Sequence, residues 1–283
     1  MNRYRPWRGA PQETPLTFII LLAYAVLMYP GRRGGDDASL ADRAREAFAA
    51  TGYHIQAGEP WRLLTHAFVH GGLVHVLFNG FALLAFGPTV ERWLGSARFG
   101  LLYAVSAVAG GVAAVYWQGP VAGLVGGSGA LFGMMGAVLA LNMRAGRHLL
   151  DFLDYAGPRS FIGLIVANLI IGAILPFVSN AAHVGGLVAG FVLTFCFLER
   201  GDAISDGLSR AARAGWVMLL CSSVAYTCWP TARIDHLWQR ARTATDPEEQ
   251  RELLTAIELL PREEVEAFLA NLRPVRTDEQ RPR

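Results

Sequence analysis

The sequence predicts an all-α protein that crosses a membrane several times, and two observations lead to this fold class. Of the 283 residues, 53% are hydrophobic and 17% are charged, whereas a soluble domain has about 25% charged residues. Charged residues are also missing from five intervals, each long enough for a membrane helix of about 17–25 residues; these are residues 14–31, 63–90, 99–143, 160–198 and 214–232. This composition excludes disorder for most of the chain, and the net charge of +2 does not indicate nucleic-acid binding.

The five charge-free intervals predict seven transmembrane spans. The first, second and fifth intervals hold one helix each. The third is too long for one helix and is interrupted by Gln-Gly-Pro at 118–120, so it predicts two. The fourth predicts two more, with a break between Pro176 and Asn180. We therefore expect a six-span bundle over residues 15–200, followed by a connecting loop and a seventh span over residues 201–232.

The distribution of arginine predicts how the chain is oriented. The tail of residues 1–14 and the loops after spans two, four and six carry 11 arginines, whereas the loops between spans on the opposite side carry five, all within residues 31–62 and matched there by five acids. Cytoplasmic loops of multi-pass proteins are enriched in basic residues. The N-terminal tail is therefore expected in the cytoplasm, inside the cell's inner (plasma) membrane, and the odd span count places the tail of residues 233–283 outside.

Two segments outside the spans have predicted structure. In the external loop of residues 31–62, a short helix is expected over 39–50, and Trp61 is placed for the aromatic belt at the membrane surface. The apolar face predicted for this helix consists of Leu40, Ala44, Ala47 and Phe48. In the C-terminal tail, helix starts at Asp246 and Pro261 predict a small pair of amphipathic helices.

Ionisable side chains are rare in the predicted spans, where such residues are costly and usually functional. The polar residues of interest are His66, His70, His75 and Asn79 in span two and its approach, Asn180 and His183 at the start of span six, and Ser128 at the start of span four. Spans two, four and six all run from outside to inside. Ser128, His183 and the polar pair of span two are therefore expected at one depth, just below the outer surface.

A serine and a neutral histidine at the same depth can act as a nucleophile and a general base. No acid lies near Ser128 and His183, so the sequence allows only a dyad. His75 and Asn79 are four residues apart on one helical face and can donate hydrogen bonds to an oxyanion. Taken singly, these residues have simpler explanations. Ser128 could be a packing serine, and His183 could simply hydrogen-bond a carbonyl. His66 and His70 could have structural or solvated roles.

Glycines and one aromatic residue support this arrangement. Gly126 permits a bent entry into span four, and the pair Gly186 and Gly190 forms a small-xxx-small pattern that lets spans four and six approach closely. Phe132 lies one turn after Ser128, where it could pack against the ring of His183. Close approach of the two helices is what a hydrogen bond between serine and histidine requires.

These residues resemble the rhomboid family of intramembrane serine proteases. Six short blocks match in order within residues 15–200: Trp61-Arg62, His66 to His70, His75 to Asn79, Glu91-Arg92, Gly126 to Gly133 and Ala182 to Gly186. The resemblance implies a six-helix core with a seventh span added, and cleavage of single-span membrane proteins in a lipid bilayer.

By the same resemblance, Ser128 is the nucleophile and His183 the base, while His75, Asn79 and the Ser128 backbone form the oxyanion site. Trp61 and Arg62 would belong to a membrane-embedded external loop. Phe132 stands where some members have tyrosine. The resemblance implies no cofactor and no metal, and it leaves the oligomeric state, the seventh span and the tail open.

Two other functions are compatible with the composition. One is a catalytically silent rhomboid-like protein that binds membrane clients, and the intact serine and histidine argue against it. The other is a transporter or channel, but ion coupling usually requires intramembrane charge, and spans three to six contain no Asp or Glu. An intramembrane protease is therefore the preferred hypothesis.

Overall fold

The computed structural model describes residues 13–29, 39–56, 59–118, 123–144, 156–175, 178–198 and 208–228, and single positions 241, 254, 255 and 257. Over that part of the chain the fold is helical, apart from an isolated bridge between Ala50 and Leu124. The helices are α1 (Pro15–Leu27), α2 (Leu40–Phe48), α3 (Gly52–Gln56), α4 (Arg62–Thr65), α5 (Leu73–Leu94), α6 (Ser96–Gln118), α7 (Ser128–Arg144), α8 (Ala156–Ile174), α9 (Asn180–Leu193) and α10 (Leu208–Thr227). The all-α prediction is confirmed.

Each predicted span coincides with one apolar helix. Three of the described helices are long and apolar enough to cross a membrane by length and composition: Leu73–Leu94, Ser96–Gln118 and Asn180–Phe197. Four shorter apolar helices occupy the remaining predicted spans: Pro15–Leu27, Ser128–Met143, Ile162–Ile174 and Ala214–Thr227. The count of seven crossings, six in the core and one added, stays a prediction.

The second predicted span is shorter than its charge-free interval. Instead of one helix from residue 63, the chain forms α4, a 3₁₀ turn at His66–Phe68 and a connection through Gly71 and Gly72, and only then begins α5. His66 and His70 therefore precede the membrane helix, and His75 lies in its first turn. The absence of charge could not reveal this break, because glycine is as uncharged as leucine.

The external loop folds onto the bundle through Arg62. This residue is 7% exposed, and its guanidinium donates to the carbonyl oxygens of Glu46 and Ala49 at 2.7 Å each and pairs with the Glu59 carboxylate. These bonds fasten the end of α2 to the start of α4. Trp61 beside it is half-exposed, as an interfacial aromatic residue would be.

The predicted helix at the start of this loop is present as α2, but a different face is buried. Ser39 caps it, its hydroxyl accepting from the Asp42 backbone at 3.2 Å. Ala41 and Ala44 are buried, whereas Leu40 and Ala47 are exposed. Apolar exposure costs little beside a bilayer, so the apolar face need not be the packed face.

A buried carboxylate joins the first span to the second. Glu91, 1% exposed near the end of α5, accepts from the backbone amides of Leu16 and Thr17 at 2.9 and 2.8 Å and from the hydroxyls of Thr17 and Ser96 at 2.7 and 2.6 Å. It thereby satisfies free amides at the N-terminus of α1. The N-terminus of α1 and the C-terminal part of α5 are fixed together.

At the centre, α7 and α9 pack backbone to backbone. A Cβ atom added to Gly186 would overlap the carbonyl oxygen of Gly129, and one added to Gly190 would overlap that of Gly133. The predicted small-residue contact is therefore observed, with each glycine facing a carbonyl of the other helix. Helix α6 packs on the same pair, where Gly110 faces the Ala182 carbonyl oxygen.

Helix α10 lies against the C-terminal part of α6. Tyr116 and Tyr226 stack with ring centroids 5.6 Å apart, and Val224 and Cys228 pack on a cluster that includes Ile55 of α3. In the tail, the described positions 241, 254, 255 and 257 are helical. The predicted helix starts at Asp246 and Pro261 lie outside the described residues.

Candidate active site

Ser128 is the first residue of α7, presented by a glycine turn. Gly126 has a φ of +103°, a conformation that favours glycine, and its N–H donates to the His66 carbonyl oxygen at 2.9 Å. The Gly127 carbonyl oxygen accepts from Leu131 at 3.0 Å, so the helix is already formed at the serine. The turn and the helix together aim the hydroxyl across the bundle.

His183 lies in the first turn of α9. Ser179 caps this helix, its hydroxyl accepting from the Ala182 amide at 3.1 Å, and the Ser179 carbonyl oxygen accepts from the His183 amide at 3.1 Å. The imidazole is only 5% exposed. Capping thus fixes the backbone that carries this ring.

Ser128 and His183 are in direct contact although 55 residues separate them in sequence. Their Oγ and Nε2 atoms are 3.0 Å apart, a hydrogen-bonding distance. The ring of Phe132 stacks on the imidazole with centroids 4.2 Å apart and an angle of 8°. The Nδ1 atom of His183 has no hydrogen-bond partner in the described part of the chain. This geometry permits a dyad in which Nε2 accepts the serine proton.

His75 and Asn79 lie on the other side of the glycine turn. A Cβ added to Gly126 would be 2.5 Å from Nε2 of His75 and 3.1 Å from Nδ2 of Asn79. The Asn79 amide is 5% exposed, and its nitrogen has no hydrogen-bond partner among the described residues. The Gly71 amide donates to Nδ1 of His75 at 3.4 Å, which leaves Nε2 to carry the proton. Both side chains therefore offer N–H groups beside the backbone that leads to Ser128.

The two histidines before α5 have different surroundings. Nδ1 of His66 is 2.9 Å from the Arg62 carbonyl oxygen, and burial lowers the pKa of His66 below its ordinary value. His70 is fully buried, and neither ring nitrogen has a partner in the described structure. Burial, and to a smaller degree the nearby His75, lowers the pKa of His70 to about 3. Both rings are neutral at physiological pH, and His70 is packed rather than solvated.

Two buried tyrosines beneath the site were missed by sequence reasoning. Tyr24 of α1 and Tyr103 of α6 are 0% and 2% exposed, and their hydroxyl oxygens are 2.7 Å apart. The available signal was a tyrosine in the middle of the apolar first span, where a buried hydroxyl needs a partner. Among the described residues, no group of three His, Cys, Asp or Glu is placed to hold a metal ion.

The fold and the site define a helical membrane protein with a candidate serine-hydrolase dyad. A family model described as Rhomboid domain matches residues 57–200, half of the chain. The chain belongs to the rhomboid family, and it is a multi-pass membrane protein.

Several curated relatives are similar to this chain. The RHOMBOID-like protein 6, mitochondrial, of Arabidopsis thaliana is 38% identical over 166 residues, which cover 57% of this chain and 51% of the relative. The rhomboid protease GluP of Bacillus subtilis is 40% identical over 138 residues, 48% of this chain and 26% of GluP. The rhomboid protease GlpG of Haemophilus influenzae is 30% identical over 181 residues, 62% of this chain and 88% of GlpG. The chain spans about half or less of the length of the first two.

Proposed function

We propose that this protein is an intramembrane serine endopeptidase that cleaves single-span membrane proteins with Ser128 as nucleophile and His183 as general base. The observation that carries this proposal is the 3.0 Å contact between the two side chains. The presence of proteases among similar rhomboid proteins, GlpG and GluP, supports the reaction class. The apolar helices around the dyad support a substrate that is itself embedded in the bilayer.

The proposed reaction proceeds in two steps that both use His183. Nε2 takes the proton as Oγ of Ser128 attacks the scissile carbonyl carbon, and a tetrahedral oxyanion forms. The protonated imidazole then gives its proton to the leaving amine, the C–N bond breaks and an acyl-enzyme remains. A water molecule, deprotonated by the same nitrogen, hydrolyses the ester and restores the serine. Stacking on Phe132 keeps the ring in place through both transfers.

The oxyanion would be stabilised by three N–H groups. Nε2–H of His75, the amide of Asn79 and the backbone N–H of Ser128 surround the Gly126 turn, where they are available to a developing negative charge. The unpartnered nitrogen of Asn79 supports this role, because a buried donor without a partner costs free energy unless a ligand provides one.

Location and orientation are part of the proposal. We propose residence in the inner (plasma) membrane. The arginine distribution supports an orientation with residues 1–14 in the cytoplasm and residues 233–283 outside. The alternative, a catalytically silent protein that binds membrane clients, predicts no cleavage of any substrate. The assay below separates the two.

The test is proteolysis of a panel of single-span substrates by purified protein in lipid, with labelling by a fluorophosphonate probe in parallel. Wild type is expected to cleave at least one substrate and to be labelled. Ser128→Ala and His183→Ala should each abolish cleavage, and the double variant should be no slower, because the pair acts as a unit. Cleavage that survives in Ser128→Ala, or no labelling of wild type, would refute the proposal.

A further inference from the structure

Two buried hydroxyls lie directly beneath the turn that carries the nucleophile. Tyr103 donates to the Ala67 carbonyl oxygen at 3.1 Å. Because a phenol has only one proton, Tyr24 is the donor in the 2.7 Å bond between the two hydroxyls. Helix α1, helix α6 and the turn before α5 are thus joined by one short chain of hydrogen bonds.

This pair of hydroxyls contacts the backbone of Gly127. A Cβ added there would overlap Oη of Tyr24, and it would lie 2.9 Å from Cζ of Tyr24 and 3.0 Å from Oη of Tyr103. Gly127 forms the peptide bond whose nitrogen is the Ser128 N–H. The Tyr24 hydroxyl limits how closely Gly127 can approach α1. It therefore also sets the position of the Ser128 N–H.

The ring of Tyr24 reaches the other side of the site through two histidines. It meets His70 edge to face, with centroids 4.5 Å apart at 69°, and His70 meets His75 at 5.1 Å and 83°. His70 is 0% exposed, so its ring is packed closely between these two neighbours. The series of contacts ends at Gly126, against which Nε2 of His75 lies.

We propose that Tyr24 is a positioning residue for the oxyanion site: its hydroxyl sets the position of the Ser128 N–H through Gly127, and its ring sets that of His75 through His70. This inference rests on the proposed function. It assigns a role in the reaction to the first span, none of whose side chains belongs to the dyad or to the proposed donors.

The first test is Tyr24→Phe, which removes the hydroxyl and keeps the ring. Because Tyr103 retains its bond to Ala67, the fold should persist, and we expect an unchanged melting temperature. The loss of one contact to Gly127 should lower kcat about tenfold at unchanged KM, since a displacement of 1 Å can cost about 10²-fold. Tyr29→Phe, at an exposed position at the outer end of the same span, is the matched control and should leave kcat unchanged.

The second test is suppression. Gly127→Ala places a methyl group where the Tyr24 hydroxyl lies, and it should nearly abolish cleavage. In the double variant with Tyr24→Phe the overlap with the hydroxyl is removed, and only a small shift of the ring away from the contact at Cζ, 2.9 Å, is still needed. We expect kcat to rise at least tenfold above Gly127→Ala alone, whereas Tyr29→Phe should not restore it. The inference would be overturned by an unchanged kcat in Tyr24→Phe, or by a loss of activity that merely equals the fraction of unfolded protein. It would also be overturned if Tyr24→Phe did not restore activity to Gly127→Ala. These results leave the proposed function intact as long as wild type cleaves and Ser128→Ala does not, while an inactive wild type overturns both.

Discussion

At the residue scale, Asn79 differs from the other amides of the membrane helices. Asn142 and Asn168 donate to carbonyls of their own helices at 2.8 Å each, Val138 and Leu164 respectively. The amide nitrogen of Asn79 is buried and without a partner in the described part of the chain. A buried donor that a protein leaves unpaired is a candidate for a bond made only during the reaction.

We predict that Asn79→Ala lowers kcat by about 10² at little change in KM, because the oxyanion exists only near the transition state. Steady-state cleavage of a single-span substrate and a thermal denaturation curve are the two measurements. Asn168→Ala is the control, since it removes an amide that bonds only to its own helix. An unchanged kcat together with a lower melting temperature would make Asn79 a structural residue.

At the element scale, the contact between α7 and α9 decides whether serine and histidine can meet. Gly186 and Gly190 of α9 face carbonyl oxygens of α7. A carbonyl within a helix cannot turn away as a side chain can. The spacing of the two helices is therefore set by the absence of side chains at these positions.

Gly186→Ala should push α9 away from α7 and break the bond between Ser128 and His183. We expect loss of cleavage by at least about 10² and a destabilisation of about 1–3 kcal/mol, typical of overpacking. Activity and melting temperature are measured beside Gly163→Ala. Gly163 lies on α8, and nothing lies within 4 Å of a Cβ added there. Its substitution should therefore neither reduce cleavage nor destabilise the protein. Equal behaviour of the two variants would contradict this account.

The bond between α1 and α5 gives a second prediction at this scale. Glu91→Gln replaces a carboxylate oxygen by an amide group that faces donors from Thr17 or Leu16 and Ser96. Leaving buried donors unpaired should cost about 1–3 kcal/mol, read as a lower denaturation midpoint in detergent. Glu46→Gln, at an exposed glutamate of α2, should leave the midpoint unchanged. Equal midpoints for both variants would show that the carboxylate does not hold the helices together.

At the scale of the whole molecule, orientation follows from charge. Eleven arginines on one side and a charge-balanced loop on the other predict a cytoplasmic N-terminus. Helix α10 then decides on which side the chain ends, because it would be the seventh crossing.

A reporter fused after Arg283 should be active only on the outer side of the membrane, and one fused before Met1 only in the cytoplasm. Paired alkaline phosphatase and fluorescent protein fusions make the measurement. A cytoplasmic signal from the C-terminal fusion would show that α10 does not cross, and the span count would fall to six.

Local patterns in the amino-acid sequence were sufficient to predict the class of the protein and the members of the candidate site. Apolar runs and charge positions are local properties, so they located all seven apolar helices before any packing was known. The direction of each predicted span placed Ser128, His183 and Asn79 at one depth. Glycine spacing indicated that α7 and α9 approach closely, because only small residues permit such contact.

Only the tertiary structure decided which atoms meet. The 3.0 Å contact of Ser128 with His183 joins residues 55 positions apart, and no local pattern reports such a distance. The same holds for the hydrogen bond from the Thr17 amide at the start of α1 to Glu91, and for the contact between Tyr24 and Gly127. In a bilayer both packed and lipid-facing surfaces are apolar, so hydrophobicity marks the spanning helices but not their buried faces. Those faces follow from the close packing of glycines, hydroxyls and carbonyls, which the folded chain alone brings together.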